Sequence, residues 1–353
     1  MSIHEPTLQF HFARMFDELS AAYGGVMASI GHKLGLYKAM AGAGPLTAEE
    51  VAERSGCAER YVREWLNAQV AGRYIDYDSA TRRYLLTDEQ AAILADEASP
   101  YFLPNALQVV ASLWADEEKA VHAFRTGEGI AWGDHDPRLH CGSAAFFRNG
   151  YAAHLVASWL PALDGVVERL EAGARVADIG CGFGDSTLLM AAAFPQSRFF
   201  GFDTHAESIA VARRNAESRG LADRATFAPR DALVAGKDGP FDLICFFDCL
   251  HDMGRPLDAA RAARAALKPD GTLLLVEPFA NDRVEDNINS VGRIYYSAST
   301  TLCCAHAISE KGTHVLGAQA GRGQLIALLE EAGFAKVRVA TETPFNLIIE
   351  ARA

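Results

Sequence analysis

Val176-Ala177-Asp178-Ile179-Gly180-Cys181-Gly182-Phe183-Gly184 is an apolar run that carries an acid near its end and then breaks into alternating glycines. A short run of that kind, closed by turn residues, reads as a buried strand. Glycine has no Cβ to block a positive φ or the close approach of a ligand. A helix opening near Asp185 would also aim its free N–H groups at whatever binds there. The turn is built to press backbone against a ligand.

Outward from it, strand and helix alternate. After a long helix at about residues 146–171, strands are expected at 175–179, 198–202, 225–229, 241–247 and 271–276, with helices at 186–194, 205–219 and 256–267. That alternation predicts an α/β fold, a parallel sheet covered by helices on both faces. Ligands on such sheets bind beyond the carboxyl ends of the strands, so the candidate site residues are those that end strands.

The chain has 353 residues, which favours two domains, placed at 1–125 and 126–353. Its formal net charge is −12 and no run of Lys or Arg stands out, so neither nucleic acid nor an anionic membrane is expected as a partner. The start, Met1-Ser2-Ile3-His4-Glu5-Pro6, lacks the basic and apolar regions of a leader, and no apolar run approaches the length of a membrane span. A cytoplasmic enzyme is the expectation. Seven cysteines without a C-x-x-C pair fit neither a disulfide framework nor a structural zinc site.

The N-terminal half reads as helices, a turn, a further helix and a two-stranded wing. Thr47-Ala48-Glu49-Glu50 is a capping box, residues 58–70 form a helix with Tyr61, Val62, Trp65 and Leu66 inward, and 74–77 with 83–86 make the wing. A winged helix-turn-helix suggests DNA, but between Pro45 and Asp88 there are six arginines against eight acids, where phosphate contacts need a surplus of cations. Packing or dimerisation is the expected role. Leu8, Phe10, Phe12, Met15, Phe16 and Leu19 make an unusually apolar N-terminal helix, for which a homodimer is the economical explanation and burial within one subunit the alternative. Residues 126–143 are expected to form a glycine-rich loop, near the substrate or simply at the surface, holding Trp132, His135, His140 and Cys141 in a spacing that matches no standard metal site.

Three strands end in acids: Asp178, Asp203 in Phe200-Gly201-Phe202-Asp203, and Asp231 just past the third. One acid about 20 residues beyond a glycine turn suits NAD, but Asp185 stands where the dinucleotide fingerprint needs its third glycine. A carboxylate beside a pyrophosphate repels it. S-adenosylmethionine, with an adenosine, an ammonium and a sulfonium but no phosphate, accounts for the acids better. Asp178 would face its amino-acid end, Asp203 the ribose hydroxyls and Asp231 the adenine amino group. Each acid alone has the alternative of capping a turn.

These pieces, with Phe241-Asp242-Leu243-Ile244 and Leu267-Lys268-Pro269-Asp270-Gly271-Thr272-Leu273-Leu274-Leu275, resemble the class I S-adenosylmethionine-dependent methyltransferases over residues 170–353. The resemblance implies a Rossmann-like seven-stranded sheet whose last two strands, at 335–340 and 346–351, are antiparallel. It also adds Gly180, Cys181, Gly182, Thr204, Ala232, Phe247 and Asp248 to the cofactor-binding set. With the winged module, the whole chain looks like the winged-helix small-molecule methyltransferases, especially a mycobacterial-type group, and shares its layout with the plant phenolic O-methyltransferases. In those the winged module serves dimerisation and helps wall the pocket of a small-molecule acceptor.

Asp248-Cys249-Leu250-His251-Asp252-Met253 is similar to the His-Asp-Trp segment of the phenolic enzymes, with Met253 in place of Trp; the resemblance makes His251 the general base and Glu277 the acid that orients it. It likewise implies substrate contact for Phe147, Tyr151 and His154, which share one helical face, and a lid at about 279–323 that includes Tyr295. Core packing and a purely structural His are the alternatives. No acid cluster suggests Mg²⁺, so a metal-independent reaction is expected. A ligand-sensing winged-helix regulator and an NAD-linked oxidoreductase remain as rival readings.

Overall fold

The apolar runs pair into one seven-stranded sheet in the computed structural model, which describes residues 3–352; Met1 and Ser2, part of the start read for a leader, and Ala353 lie outside the described residues. The strands are β1 (Arg175–Ile179), β2 (Arg198–Asp203), β3 (Ala225–Pro229), β4 (Phe241–Phe247), β5 (Leu267–Pro278), β6 (Lys336–Glu342) and β7 (Asn346–Arg352). Their spatial order is β3-β2-β1-β4-β5-β7-β6. The first five are parallel, and β7 runs antiparallel to both β5 and β6. The order reverses between β1 and β4, the switch point at which such sheets open a crevice for ligands.

Burial on both faces explains why the central strands read as unbroken apolar runs. Phe241, Ile244 and Phe246 of β4, Leu273 and Leu275 of β5, and Leu347 and Ile349 of β7 are buried in one cluster. Ala259, Ala260 and Ala263 of the helix Pro256–Ala266 and Leu325, Leu328 and Leu329 of the helix Gly321–Glu331 complete it. Small side chains on the first helix let it lie close to the sheet.

The chain forms two compact units, one made of the part up to Ser112 with Arg138–Asn149, the other of Leu113–Pro137 with everything from Gly150 on. In the first unit, helices Glu5–Lys33, Leu36–Met40, Ala48–Ser55 and Glu59–Ala71 precede an antiparallel wing of Asp76–Asp78 and Arg83–Leu85. The capping box is formed: Thr47 Oγ1 accepts the Glu50 N–H at 3.3 Å and Glu50 Oε2 accepts the Thr47 N–H at 2.7 Å. Tyr37, Met40, Val51, Trp65 and Leu66 fill the core, where the Tyr37 hydroxyl donates to Gln69 Oε1 at 2.6 Å. Tyr61, expected inward, is exposed. On the helix Glu59–Ala71, Arg60 pairs with Glu64 and Arg63 with both Glu59 and Glu49, so these cations are spent on neighbours.

Two further expectations change. The segment at 126–143 is not one loop, because a helix begins at Arg138, behind Pro137, and carries His140 and Cys141. The long helix expected at 146–171 is broken. Arg138–His154 runs into a π turn (Leu155–Trp159) and a 3-10 turn (Leu160–Ala162) at Pro161, whose missing N–H cannot continue the ladder, before a new helix at Val166–Ala172. Among the described residues no helix is long and apolar enough to cross a membrane, and no cluster of three metal-capable side chains occurs. All seven cysteines are free thiols.

Candidate active site

The glycine turn folds tightly onto the ends of the neighbouring strands. The N–H groups of Gly180 and Cys181 both donate to Phe202 O, at 2.8 and 3.0 Å. Gly180 has φ of 74°, and a Cβ there would lie 2.6 Å from Cys249 Sγ, so only glycine fits. Gly182, with φ of 52°, has no atom within 4 Å of the place its Cβ would take, so the turn opens there to a ligand.

Asp178 is the most constrained acid of the site. It is 1% exposed, and its Oδ2 accepts hydroxyls from Ser186 (2.7 Å) and Thr187 (2.5 Å), both in the first turn of the helix Asp185–Ala193. Its Oδ1 is buried without a partner. Burial pushes this carboxyl up to about 6, against the pull of the two hydroxyls. An unpaired buried acceptor is costly, and here it marks the place of a donor that a ligand would bring.

Asp203 accepts the N–H of Gly182 at 2.9 Å and that of His205 at 2.8 Å, one on each oxygen. A carboxylate has about four acceptor positions, so two remain for a ligand. Burial holds this carboxyl above its ordinary value as well. Thr204 beside it is exposed. Asp231 is exposed and caps the turn that begins at Ala232, its Oδ1 accepting the Leu233 N–H at 2.7 Å. Asp185 is paired with Arg219 at 3.2 Å.

Beyond β4, the short turn Leu250–Asp252 presents His251 to β5. His251 is 5% exposed and Glu277 1%. His251 Nδ1 meets Glu277 Oε2 directly, while Glu277 Oε1 accepts the Leu250 N–H at 3.0 Å. The carboxylate therefore fixes the ring and, in its neutral form, the tautomer, with the proton on Nδ1 and the lone pair on Nε2. Burial alone would push the imidazole's pKa down, but the Glu277 charge, the Cys303 sulfur and the hydrogen bonds to both together outweigh it and hold His251 well above the ordinary histidine value. Nε2 stands 3.3 Å from Cys303 Sγ.

Asp248, with φ of 51°, is held at both oxygens: the Tyr151 hydroxyl donates to Oδ2 and Asn346 Nδ2 to Oδ1, each at 2.8 Å. Burial and the nearby Glu277 charge push it up to about 8. The Tyr151 ring packs on Phe247, at 5.5 Å between centroids, and His154 stacks on Trp159 at 6.0 Å. The Tyr295 hydroxyl is committed to Phe345 O at 2.9 Å. Phe147 belongs to the first compact unit, whereas Tyr151 and His154 belong to the second.

Asp178, Asp203, Tyr151, Phe247, Asp248, His251 and Glu277 thus line the carboxyl side of β1, β2, β4 and β5. Sequence reading missed Ser186 and Thr187, although two hydroxyls at the start of the helix behind a glycine turn are a legible signal. It also missed Asn346 and the contact of Cys303 with the His. Those residues lie 98 and 52 positions from their partners, and no local pattern points to them.

Residues 170–333 match a methyltransferase domain family and residues 21–96 the Rv2258c-like winged HTH domain. The trans-aconitate 2-methyltransferase of Streptomyces avermitilis is 33% identical over 128 residues, 36% of this chain and 48% of that protein. A ubiquinone biosynthesis O-methyltransferase of Actinobacillus pleuropneumoniae is 32% identical over 105 residues, 29% of this chain and 44% of its own. The chain spans about half the length of these curated relatives or less. Among solved structures, an O-methyltransferase family protein from Burkholderia thailandensis superposes with a TM-score of 0.70 at 16% identity, covering 100% of this chain and 99% of that one. Human N-acetylserotonin methyltransferase in complex with SAM gives 0.65 at 17%, covering 97% of each chain. At these identities the likeness to solved structures is one of fold. The chain carries an Rv2258c-like winged helix-turn-helix domain followed by a methyltransferase domain.

Proposed function

We propose that this chain is an S-adenosylmethionine-dependent methyltransferase acting on a hydroxyl of a small molecule, with His251 as general base and Glu277 as the acid that orients it. The observation that carries this reading is the buried His251–Glu277 pair at the carboxyl ends of β4 and β5, beside a glycine turn whose acid keeps one oxygen unpartnered. S-adenosylmethionine supplies, when bound, a methyl group on a positively charged sulfur open to in-line displacement. Asp178 Oδ1 suits its ammonium, and the free acceptor positions of Asp203 suit its ribose hydroxyls. The residues of the turn and of the strand ends, Gly180, Cys181, Gly182, Thr204, Asp231, Ala232, Phe247 and Asp248, complete the proposed cofactor set.

The acceptor's proton passes to Nε2 of His251, and Glu277 stabilises the imidazolium that results. Tyr151, His154, Phe147 and Tyr295 are the proposed acceptor contacts, with 1–125 as the dimerisation and wall domain, 126–353 as the catalytic domain and 279–323 as its lid. Tyr151 and Tyr295 act through their rings in this reading, since both hydroxyls are already engaged. Calorimetry tests the whole. S-adenosylhomocysteine is expected to bind saturably and NAD not at all; the reverse result would replace the methyltransferase reading with that of an oxidoreductase.

The same reading makes the chain a cytoplasmic homodimer. Leu8, Phe12, Met15, Leu19, Tyr23, Val26 and Ile30 are exposed along the helix Glu5–Lys33, Phe12 at 64%. Their steps of three and four residues are those of a helix seam, which a second copy can cover by two-fold symmetry. Light scattering at micromolar concentration is expected to give twice the chain mass, and Phe12→Glu with Phe16→Glu to give the monomer. A monomeric wild type would remove the dimer.

A further inference from the structure

A nitrogen that takes a proton from an acceptor must be free to meet it, and here it is already met. In the neutral working form of the ring, with the His251 Nδ1 proton turned to Glu277, the lone pair on Nε2 faces the Cys303 thiol at 3.3 Å. Cys303 is the last residue of a π turn (Ser299–Cys303) set between the helices Ser290–Ala298 and Cys304–Ser309. A π turn takes one residue more than an α turn and so re-aims the side chains that follow. The segment is tied to the loop after β4 at two further points: the Gly317 N–H donates to His251 O at 3.0 Å and the Gly254 N–H to Glu310 Oε2 at 2.8 Å. The thiol is presented to the base by a built scaffold.

Among side chains with a single donor proton, a thiol is the weak one. Burial holds Cys303 above its ordinary value, so it meets Nε2 as a neutral S–H. That donor spares the buried nitrogen from standing unpaired, yet an O–H makes the stronger bond to the same lone pair. We propose that Cys303 is a specificity-determining residue of the acceptor site: its thiol occupies the base nitrogen of His251 and yields it to an acceptor hydroxyl. This rests on the reading of His251 as the base.

A serine at this position would compete with the incoming hydroxyl on equal terms, and an alanine would not compete. Serine is also the closer match to cysteine in shape, so a purely packing role gives the opposite order. The test titrates the enzyme, loaded with S-adenosylhomocysteine, with phenol by calorimetry at a pH above the His251 limb, where the ring is neutral and a phenol of ordinary pKa, about 10, still carries its O–H. On the scale of one weak hydrogen bond exchanged for an ordinary one, Cys303→Ala is expected to bind about 3-fold tighter and Cys303→Ser about 5-fold more weakly than wild type. The difference between the two variants is expected to vanish when His251→Ala is added. Equal affinities, a serine variant that outperforms the alanine variant, or no saturable binding would each overturn the proposal. Calorimetry with S-adenosylhomocysteine is run in parallel and should agree within about twofold across variants that leave the cofactor residues intact. If the wild type does not bind S-adenosylhomocysteine, the methyltransferase reading itself fails and takes this proposal with it, an outcome distinct from a wrong order among the variants.

Discussion

Replacing His251 by alanine is expected to lower turnover on the acceptor identified by a labelled-methyl screen by about 10²- to 10⁴-fold, the usual contribution of a positioned base. S-adenosylhomocysteine affinity should hardly change, because Asp178 and Asp203 are untouched. The pH dependence carries the same information. The neutral imidazole is the working form, and Glu277 holds the His251 pKa well above the ordinary value. Activity should therefore climb with pH along a limb above about 6.5, since below that limb the ring is already protonated and cannot accept. In Glu277→Gln the carboxylate is gone and burial remains, so the limb moves to lower pH while the maximal rate falls. A His251→Ala enzyme with full turnover, or a limb that Glu277→Gln leaves in place, would sink the base assignment.

The second large effect concerns Asp178→Asn. The substitution is isosteric and keeps an oxygen for the Ser186 and Thr187 hydroxyls, yet removes the charge that an ammonium would meet. A hydrogen bond to a charged group contributes about 1.5–3 kcal/mol, so S-adenosylhomocysteine affinity should fall about 10- to 100-fold. The wild type should also bind in a pH-dependent way. Burial pushes Asp178 up to about 6. The ammonium favours the ionised acid, so affinity is full above that pH and falls by about tenfold per pH unit below it. The Asn variant has no such titration and its affinity should stay flat over the same range. Calorimetry at about pH 5 and pH 7 decides the matter: a wild type as flat as the variant removes Asp178 from the ammonium site.

Much of the domain behind these predictions was legible. Apolar runs with glycines and acids at their ends gave the strand and helix order around β1 to β5, most clearly for β1 and β4, which are buried along nearly their whole length. Boundaries erred where local backbone chemistry intervened. Pro161 broke a helix that periodicity had carried through, and Pro137 opened one inside an expected loop. Asp231 shows a different limit: the same aspartate can cap a turn or meet a ligand, and both need only an acid at a strand end.

By itself, the sequence determined the fold class, the glycine turn, the acids at the strand ends and the candidacy of His251, all of them patterns within a few residues of one another or in strict alternation. Only the tertiary structure decided that Asp178 spends one oxygen on Ser186 and Thr187 and keeps the other unpartnered. It also decided that Asp185 is paired with Arg219, and that the base nitrogen of His251 faces Cys303. Those contacts join elements far apart in the chain, and they are set by how sheet, helices and the segment after β5 pack rather than by any local preference.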